Sequence, residues 1–232
     1  TILAIQFPSF RLMGQGLQII LKNPIFPVLT APENGSLPRN RQHPYEAQLD
    51  ALESILCYNT LTQALGAAPL RSITDLGLLL ERYRTTILEP IELPAIARAH
   101  REANQSRALE LIKMDQELAG QHPEWLLLTP ASTRVGRDYL TRLRPLQDER
   151  TVQRLIEAVR LGRTPGHHLT VFGLTMAVFS IAQRQGLSEY AQYALEAVVA
   201  TAAGKLKLTQ TDRDALLARS QAYLPKAIVR TK

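Results

Sequence analysis

The sequence predicts an all-α fold, a single multi-helix, bundle-like domain behind a proline-rich N-terminal arm. Three observations carry that expectation. Leu, Ala, Arg, Glu and Gln dominate the 232 residues while aromatic residues make up only 6%, a balance that favours helices over a sandwich or barrel. From Tyr45 onward apolar residues recur at helical spacing almost without interruption. From Leu169 to Ala182 there is no charged residue, and Val171, Phe172, Leu174, Met176, Val178, Phe179 and Ile181 cover every side of a helix. A helix apolar all round requires burial all round. At ~1.5 Å per residue it would span about 20 Å, and it falls short of the roughly 20 apolar residues a bilayer needs. It is therefore expected as the central helix of a soluble domain.

Residues 1–44 differ from the rest. Six of the 14 prolines (Pro8, Pro24, Pro27, Pro32, Pro38, Pro44) fall here, a density that forbids long helices, so this is expected as a partly ordered arm ahead of a helical domain over 45–232. Gly14-x-Gly16 reads as a turn, because no third glycine and no Gly-Lys-Ser/Thr follows to make a phosphate loop. Next, Tyr45, Leu49, Leu52, Leu56, Leu61 and Leu65 mark one face of a helix ending near Gly66 and Pro69, with Cys57 beside it as a buried, inert thiol. Ser72-Ile73-Thr74-Asp75 has the form of a capping box and opens a helix whose buried stripe is Leu76, Leu79, Leu80, Tyr83 and Ile87.

Pro94 suits the first turn of a helix carrying Ile96, Ala97 and His100. A break at Asn104-Gln105-Ser106 leads to a helix with Leu109, Ile112 and Leu118 inside, and the short connection predicts antiparallel packing. After His122 to Trp125 comes a basic helix with Arg134, Arg137, Arg142 and Arg144, ended by Pro145 to Glu149. Thr151 to Leu161 forms another, with Val152, Leu155, Ile156 and Val159 inside. Gly162 to Gly166 then delivers the central helix. Gln185-Gly186-Leu187-Ser188 is expected to break it, with Ser188 capping a helix that runs to about Ala203, and Gln210-Thr211-Asp212 opening the last.

The chemistry on offer is sparse. Five histidines (His43, His100, His122, His167, His168) and Cys57 include no i, i+4 His pair and no Cys-x-x-Cys, so no metal site is expected. His167 and His168, adjacent at a helix start, point apart, which favours a role in starting the helix or in an interface. No G-x-S-x-G, no His-Glu-x-x-His and no carboxylate pair in an apolar run is present, so no catalytic residue is assigned and an enzyme is the least supported class. The lone cysteine requires no oxidising compartment, nothing resembles a secretory leader, and a cytoplasmic protein is expected. The net charge of +6 is spread among acids along the helices. A basic helical protein that binds nucleic acid or acts as a regulator remains the alternative, motivated by the Arg134 to Arg144 cluster. Asp138 interrupts that cluster, however, and a protein-binding face is the expectation.

Several short stretches occur in one order: Glu92-Leu93-Pro94 with Ala99-His100, an Asp-x-Glu-Leu run at Asp115 to Leu118, Ser132-x-Arg134-x-Gly136-Arg137, His168-x-x-Val171-Phe172-Gly173, and Leu208-x-Gln210-Thr211-Asp212. Together they resemble the urease accessory protein F family over roughly Ser72 to Ala222. The departures are definite. Val135 stands at a methionine position, Thr209 and Arg213 replace two glycines of the C-terminal motif, Lys207 replaces a proline, and the family's N-terminal signature is not intact. The resemblance implies an all-α scaffold without catalysis or a cofactor of its own. It implies further that the scaffold joins the accessory D (or H) protein and the GTPase accessory G protein for nickel insertion into apo-urease, typically as a homodimer, with nickel and GTP handled by the partners. It also implies a partner-binding role for His168, Phe172, Gly173, Gln210, Thr211, Asp212, Arg134 and Arg137, and neither nucleic acid nor a membrane as partner.

Overall fold

A computed structural model describes residues 43–231, and every regular element among them is helical. The arm expected over 1–44 and the Gly14-x-Gly16 turn lie outside the described residues, apart from the arm's last two. α1 (Pro44–Asp50) passes into a 3-10 turn (Ala51–Ser54), and α2 (Tyr58–Ala64) follows. The single helix expected over this stretch is thus three short pieces that still bury Leu49, Leu52, Leu56, Leu61 and Leu65. Cys57, expected to be buried, is half-buried at the start of α2.

α3 (Ile73–Tyr83) begins at the expected capping box, with Ser72 Oγ accepting from the Asp75 N–H and Asp75 Oδ2 accepting from the Ser72 N–H. Its stripe of Leu76, Leu79, Leu80, Tyr83 and Ile87 is buried throughout. The chain then does not turn. A π-helical segment (Arg84–Glu92) carries it through Pro90 directly into α4 (Leu93–Asn104), where Pro94 sits in the first turn. Wider winding accommodates a proline that an α-helix interior would reject.

Ser106, at φ 56°, reverses the chain into α5 (Ala108–Gln121), which packs on α4. The buried face of α5 is Leu111, Met114 and Leu118, whereas Leu109, expected inside, is 73% exposed. A 3-10 turn (Pro123–Trp125) leads to α6 (Thr129–Arg142), then α7 (Arg150–Arg160), where Val152 and Leu155 are buried and Ile156 and Val159 half-buried.

α8 (His168–Val178) is the centre, and all nine residues from His168 to Met176 are buried. It packs most extensively on α4 and next on α6. The crossing with α4 is close because Gly173 has no side chain: a Cβ there would lie 2.7 Å from the Ile96 carbonyl oxygen and 2.5 Å from Ala99 Cβ. The helix ends earlier than expected, at a turn in which Ser180 takes φ 55°, so that Gly186 and Ser188 fall inside α9 (Gln183–Leu206). Gly186 serves packing instead, since a Cβ there would meet Met176 Sδ at 2.6 Å. α10 (Gln210–Gln221) packs on α9 and α3, and α11 (Leu224–Arg230) packs on α9.

Candidate functional site

Three of the stretches, those of Asp115, of Ser132 to Arg137 and of His168, meet at the start of α8. Asp115 of α5, fully buried, accepts from Thr164 Oγ1 at 2.6 Å, from the Gly166 N–H at 2.6 Å and from the His167 N–H at 2.9 Å. One carboxylate thereby clamps the loop that feeds α8 through two backbone donors, which have no other way to be met in the interior. α6 lies against the same loop. A Cβ on Gly136 would stand 2.2 Å from the Gly166 carbonyl oxygen and 2.7 Å from the His168 nitrogen, so glycine is the one residue that lets the two backbones touch. One residue on, Arg137 Nε donates to the Pro165 carbonyl at 2.8 Å.

From this point a chain of buried polar groups runs inward. Ser132 Oγ lies 2.9 Å from His168 Nδ1 and 3.2 Å from His167 Nδ1, and accepts from the His168 N–H at 3.3 Å. His168 Nε2 meets Tyr190 Oη at 2.9 Å. Tyr190 lies near Glu92, whose Oε2 accepts from Tyr83 Oη at 2.5 Å and whose Oε1 is buried without a hydrogen-bond partner. Burial pushes the Glu92 carboxyl up to about 8 against the opposing influence of the Tyr83 and Tyr190 hydroxyls. The same cause, aided by nearby His167, pushes the His168 imidazole down to about 3. Burial also lowers His167, with Asp115 opposing and Arg137 adding to the effect. At neutral pH the centre therefore holds a protonated carboxyl and a neutral imidazole, as desolvation demands. His168 is sandwiched by Trp125 and Tyr190, with ring centroids at 5.7 Å and 6.1 Å.

No side chain of this chain is more than 3% exposed, so a solute does not reach it in this conformation. It organises the centre of the helical packing. Among the described residues no group of three or more His, Cys, Asp or Glu is placed to hold a metal ion, and no helix is long and apolar enough to cross a membrane.

The eight residues given a partner-binding role divide sharply. His168, Phe172 and Gly173 are interior, with α4, α6 and α9 packed around them. Arg134 and Arg137 are exposed on α6, and Gln210 and Thr211 are exposed at the start of α10. Asp212 is half-exposed and committed locally: Thr209 caps α10 by accepting from the Asp212 N–H, and Asp212 Oδ2 accepts from the Thr209 N–H at 3.0 Å. Lys207, standing where the family pattern has proline, adopts φ 53° as the C-cap of α9, a conformation closed to proline. Of the other arginines near α6, Arg142 lies over the Tyr139 ring and Arg160 is paired with Glu157, so this side presents separated charges.

In the sequence, Glu92, Asp115 and Ser132 stand within the family-like stretches with nothing in their spacing to mark their part in the centre, Tyr83 reads only as core, and Tyr190 does not stand out. Glu92 had a local signal, being an acid among Leu88, Ile91, Leu93 and Ile96. Tyr190 had none, since its partners are distant in sequence.

Fold and site together define an all-α scaffold organised around a sealed polar centre, with its exposed arginines and helix caps on separate outer elements. The UreF family model matches residues 70–221, well over half of the chain, and the chain belongs to this family of urease accessory proteins. No curated protein matches it.

Proposed function

We propose that the chain is a non-catalytic accessory chaperone for urease maturation that holds the accessory D/H protein and the GTPase accessory G protein together for nickel insertion into apo-urease. The observation that carries this reading is the family match over 70–221. Nickel is cargo and GTP is turned over by the partner, so the scaffold needs neither metal ligands nor a phosphate loop of its own. It acts in the cytoplasm as a homodimer. The contacts are made by exposed Arg134 and Arg137 on α6 and by Gln210 and Thr211 at the start of α10. His168, Phe172 and Gly173 act from within, His168 by tying α8 to α6 through Ser132, Phe172 by packing on Tyr45 and Tyr190, and Gly173 by letting α4 approach α8.

The test is co-purification of the chain with the accessory D/H and G proteins from the same source. Wild type is compared with Gln210→Ala/Thr211→Ala and with Arg134→Ala, all at equal helical content. A stable complex weakened by either variant supports the reading and identifies the face. Absence of any complex with both partners removes it.

A further inference from the structure

Arg137 is exposed on α6, yet its guanidinium is held from one side. Its Nε donates to the Pro165 carbonyl at 2.8 Å, and that carbonyl belongs to a loop which Asp115 clamps at Thr164, Gly166 and His167. Gly136 brings the α6 backbone against the same loop, so donor and acceptor are both positioned by the fold. A surface arginine ordinarily loses rotamer freedom when a ligand fixes it, and here folding has already removed part of that freedom. The bond uses Nε alone. It leaves the outer edge of the guanidinium, Nη1 and Nη2, without a partner among the described residues.

Arg134 stands one turn earlier on the exposed side of α6, and neither arginine forms an ion pair among the described residues. The neighbouring acid, Asp138, lies about 100° around the helix from Arg137 but only about 40° from Arg134. It therefore offsets Arg134 more than Arg137. Two N–H groups side by side match the two oxygens of a carboxylate, which a guanidinium takes in parallel bonds. A phosphoryl group carries a third acceptor oxygen, and the loop beneath has no donor to give it. The Gly166 and His167 N–H groups and Thr164 Oγ1 are all taken by Asp115, whose buried carboxylate also opposes a dianion close by. Side chains three residues apart on a helix start about 5–6 Å from each other. Alternate residues of an extended chain point the same way about 6–7 Å apart, close to that spacing.

We propose that the Arg134–Arg137 face of α6 docks an extended acidic segment of a protein partner, with carboxylates at alternate positions. One carboxylate takes the free edge of Arg137 in two parallel hydrogen bonds, and the other lies over Arg134 as a looser charge pair. Arg137 contributes its shape and Arg134 its charge. The inference rests on the reading of α6 as a partner face and adds the chemistry of what meets it.

The experiment is a titration of the full isotope-labelled chain, read at the Arg137 Nε–H resonance. The probes are acetyl-Gly-Asp-Gly-Glu-Gly-amide, its counterpart with Asn and Gln, inorganic phosphate, and a short oligothymidylate. The acidic peptide is expected to give a saturable shift at millimolar concentration, with the amide counterpart weaker by about tenfold. Arg137→Lys keeps the charge, loses the fork and is expected to weaken the acidic peptide about tenfold. Arg154→Ala removes an equal charge from α7 and is expected to change binding by less than about twofold. Should Arg137→Lys disturb the loop, Arg134→Ala is expected to weaken the same peptide about threefold at unchanged melting temperature. Lack of a saturable shift overturns the proposal, as does equal binding of the two peptides. Tighter binding of phosphate or of the oligonucleotide also overturns it, by assigning the edge to a phosphoryl ligand. Co-purification separates this inference from the urease reading. An accessory complex indifferent to Arg137→Lys removes the acidic segment and keeps the scaffold, whereas peptide binding without any accessory complex keeps the acidic segment and removes the urease partners.

Discussion

The start of α8 and the start of α10 both carry short stretches that resemble one family, and the two do opposite physical work. At α8 the residues are interior: His168 is bonded on both ring nitrogens, Phe172 is 2% exposed, and Gly173 lets α4 approach to backbone contact. At α10 only Ser220 of the helix is buried, and Thr209 and Asp212 satisfy each other at the surface. A recurrent residue pattern is thus equally compatible with a packing constraint and with an exposed face, and burial separates the two. The first region should tolerate almost no change in volume, the second almost any change that spares the cap.

The largest effect is expected from the glycines that separate these regimes. Gly136→Ala places a methyl 2.2 Å from a carbonyl oxygen, and Gly173→Ala places one 2.7 Å from another. Overpacking alone costs about 1–3 kcal/mol, and backbone atoms cannot rotate away, so a loss of about 3 kcal/mol or more is expected in denaturant unfolding. Gly204, near the end of α9, has nothing within 4 Å of its added Cβ. Gly204→Ala should leave the protein as stable or up to ~1 kcal/mol more so, by helix propensity. Equal losses at all three positions would erase the distinction between sealed centre and open surface.

The polar chain sharpens the same contrast. Ser132→Ala removes the one oxygen shared by His167, His168 and the His168 N–H, and should cost about 1–3 kcal/mol, the penalty for leaving buried donors unmet. The pH dependence has a defined sign. Glu92 is raised from 4.5 to about 8 in the fold, so its contribution is fully present below pH 4.5 and is lost as pH rises through 8. His168 is lowered from 6.5 to about 3, so its contribution is present above pH 6.5 and is lost as pH falls through 3. Between pH 4.5 and 6.5 the two slopes oppose, and this pair predicts a plateau with stability falling on both sides. Melting temperatures measured across pH should lose the decline between pH 6.5 and 8 in Glu92→Gln; an unchanged decline would show that Glu92 is not its source.

What the sequence disclosed about this architecture follows the range of each signal. The Ser72 cap, Pro94 in a first turn and the charge-free helix rest on residues within a few positions of one another, and all three stand in the structure. The end of α8 was misplaced because Gly186 resembles a helix stop, while its real role is to admit Met176 from the preceding helix. The run from α3 to α4 looked like two helices because prolines usually end one, and π winding removes that rule locally. The polar centre joins α3, the π segment, α6, α8 and α9, and a link from Glu92 to Tyr190 leaves no trace in spacing.

The smallest stability effects belong to the outer region, and they make it useful. Thr209→Ala removes the α10 cap and should cost about 1 kcal/mol, enough to fray the turn that presents Gln210 and Thr211. A binding defect in that variant would confound loss of contact with loss of order. Arg134→Ala avoids the confusion. Arg134 is exposed on α6, so its truncation should change the unfolding free energy by no more than about 0.5 kcal/mol. Arg137, one turn along, also holds the Pro165 carbonyl and does not offer the same clean comparison. If the outer region is a partner face, Arg134→Ala should raise the dissociation constant for an accessory partner severalfold at unchanged melting temperature, with the loss shrinking as salt is added. Unchanged affinity would confine the contacts to α10, and an altered melting temperature would show that α6 is as tightly committed on its outer side as on its inner one.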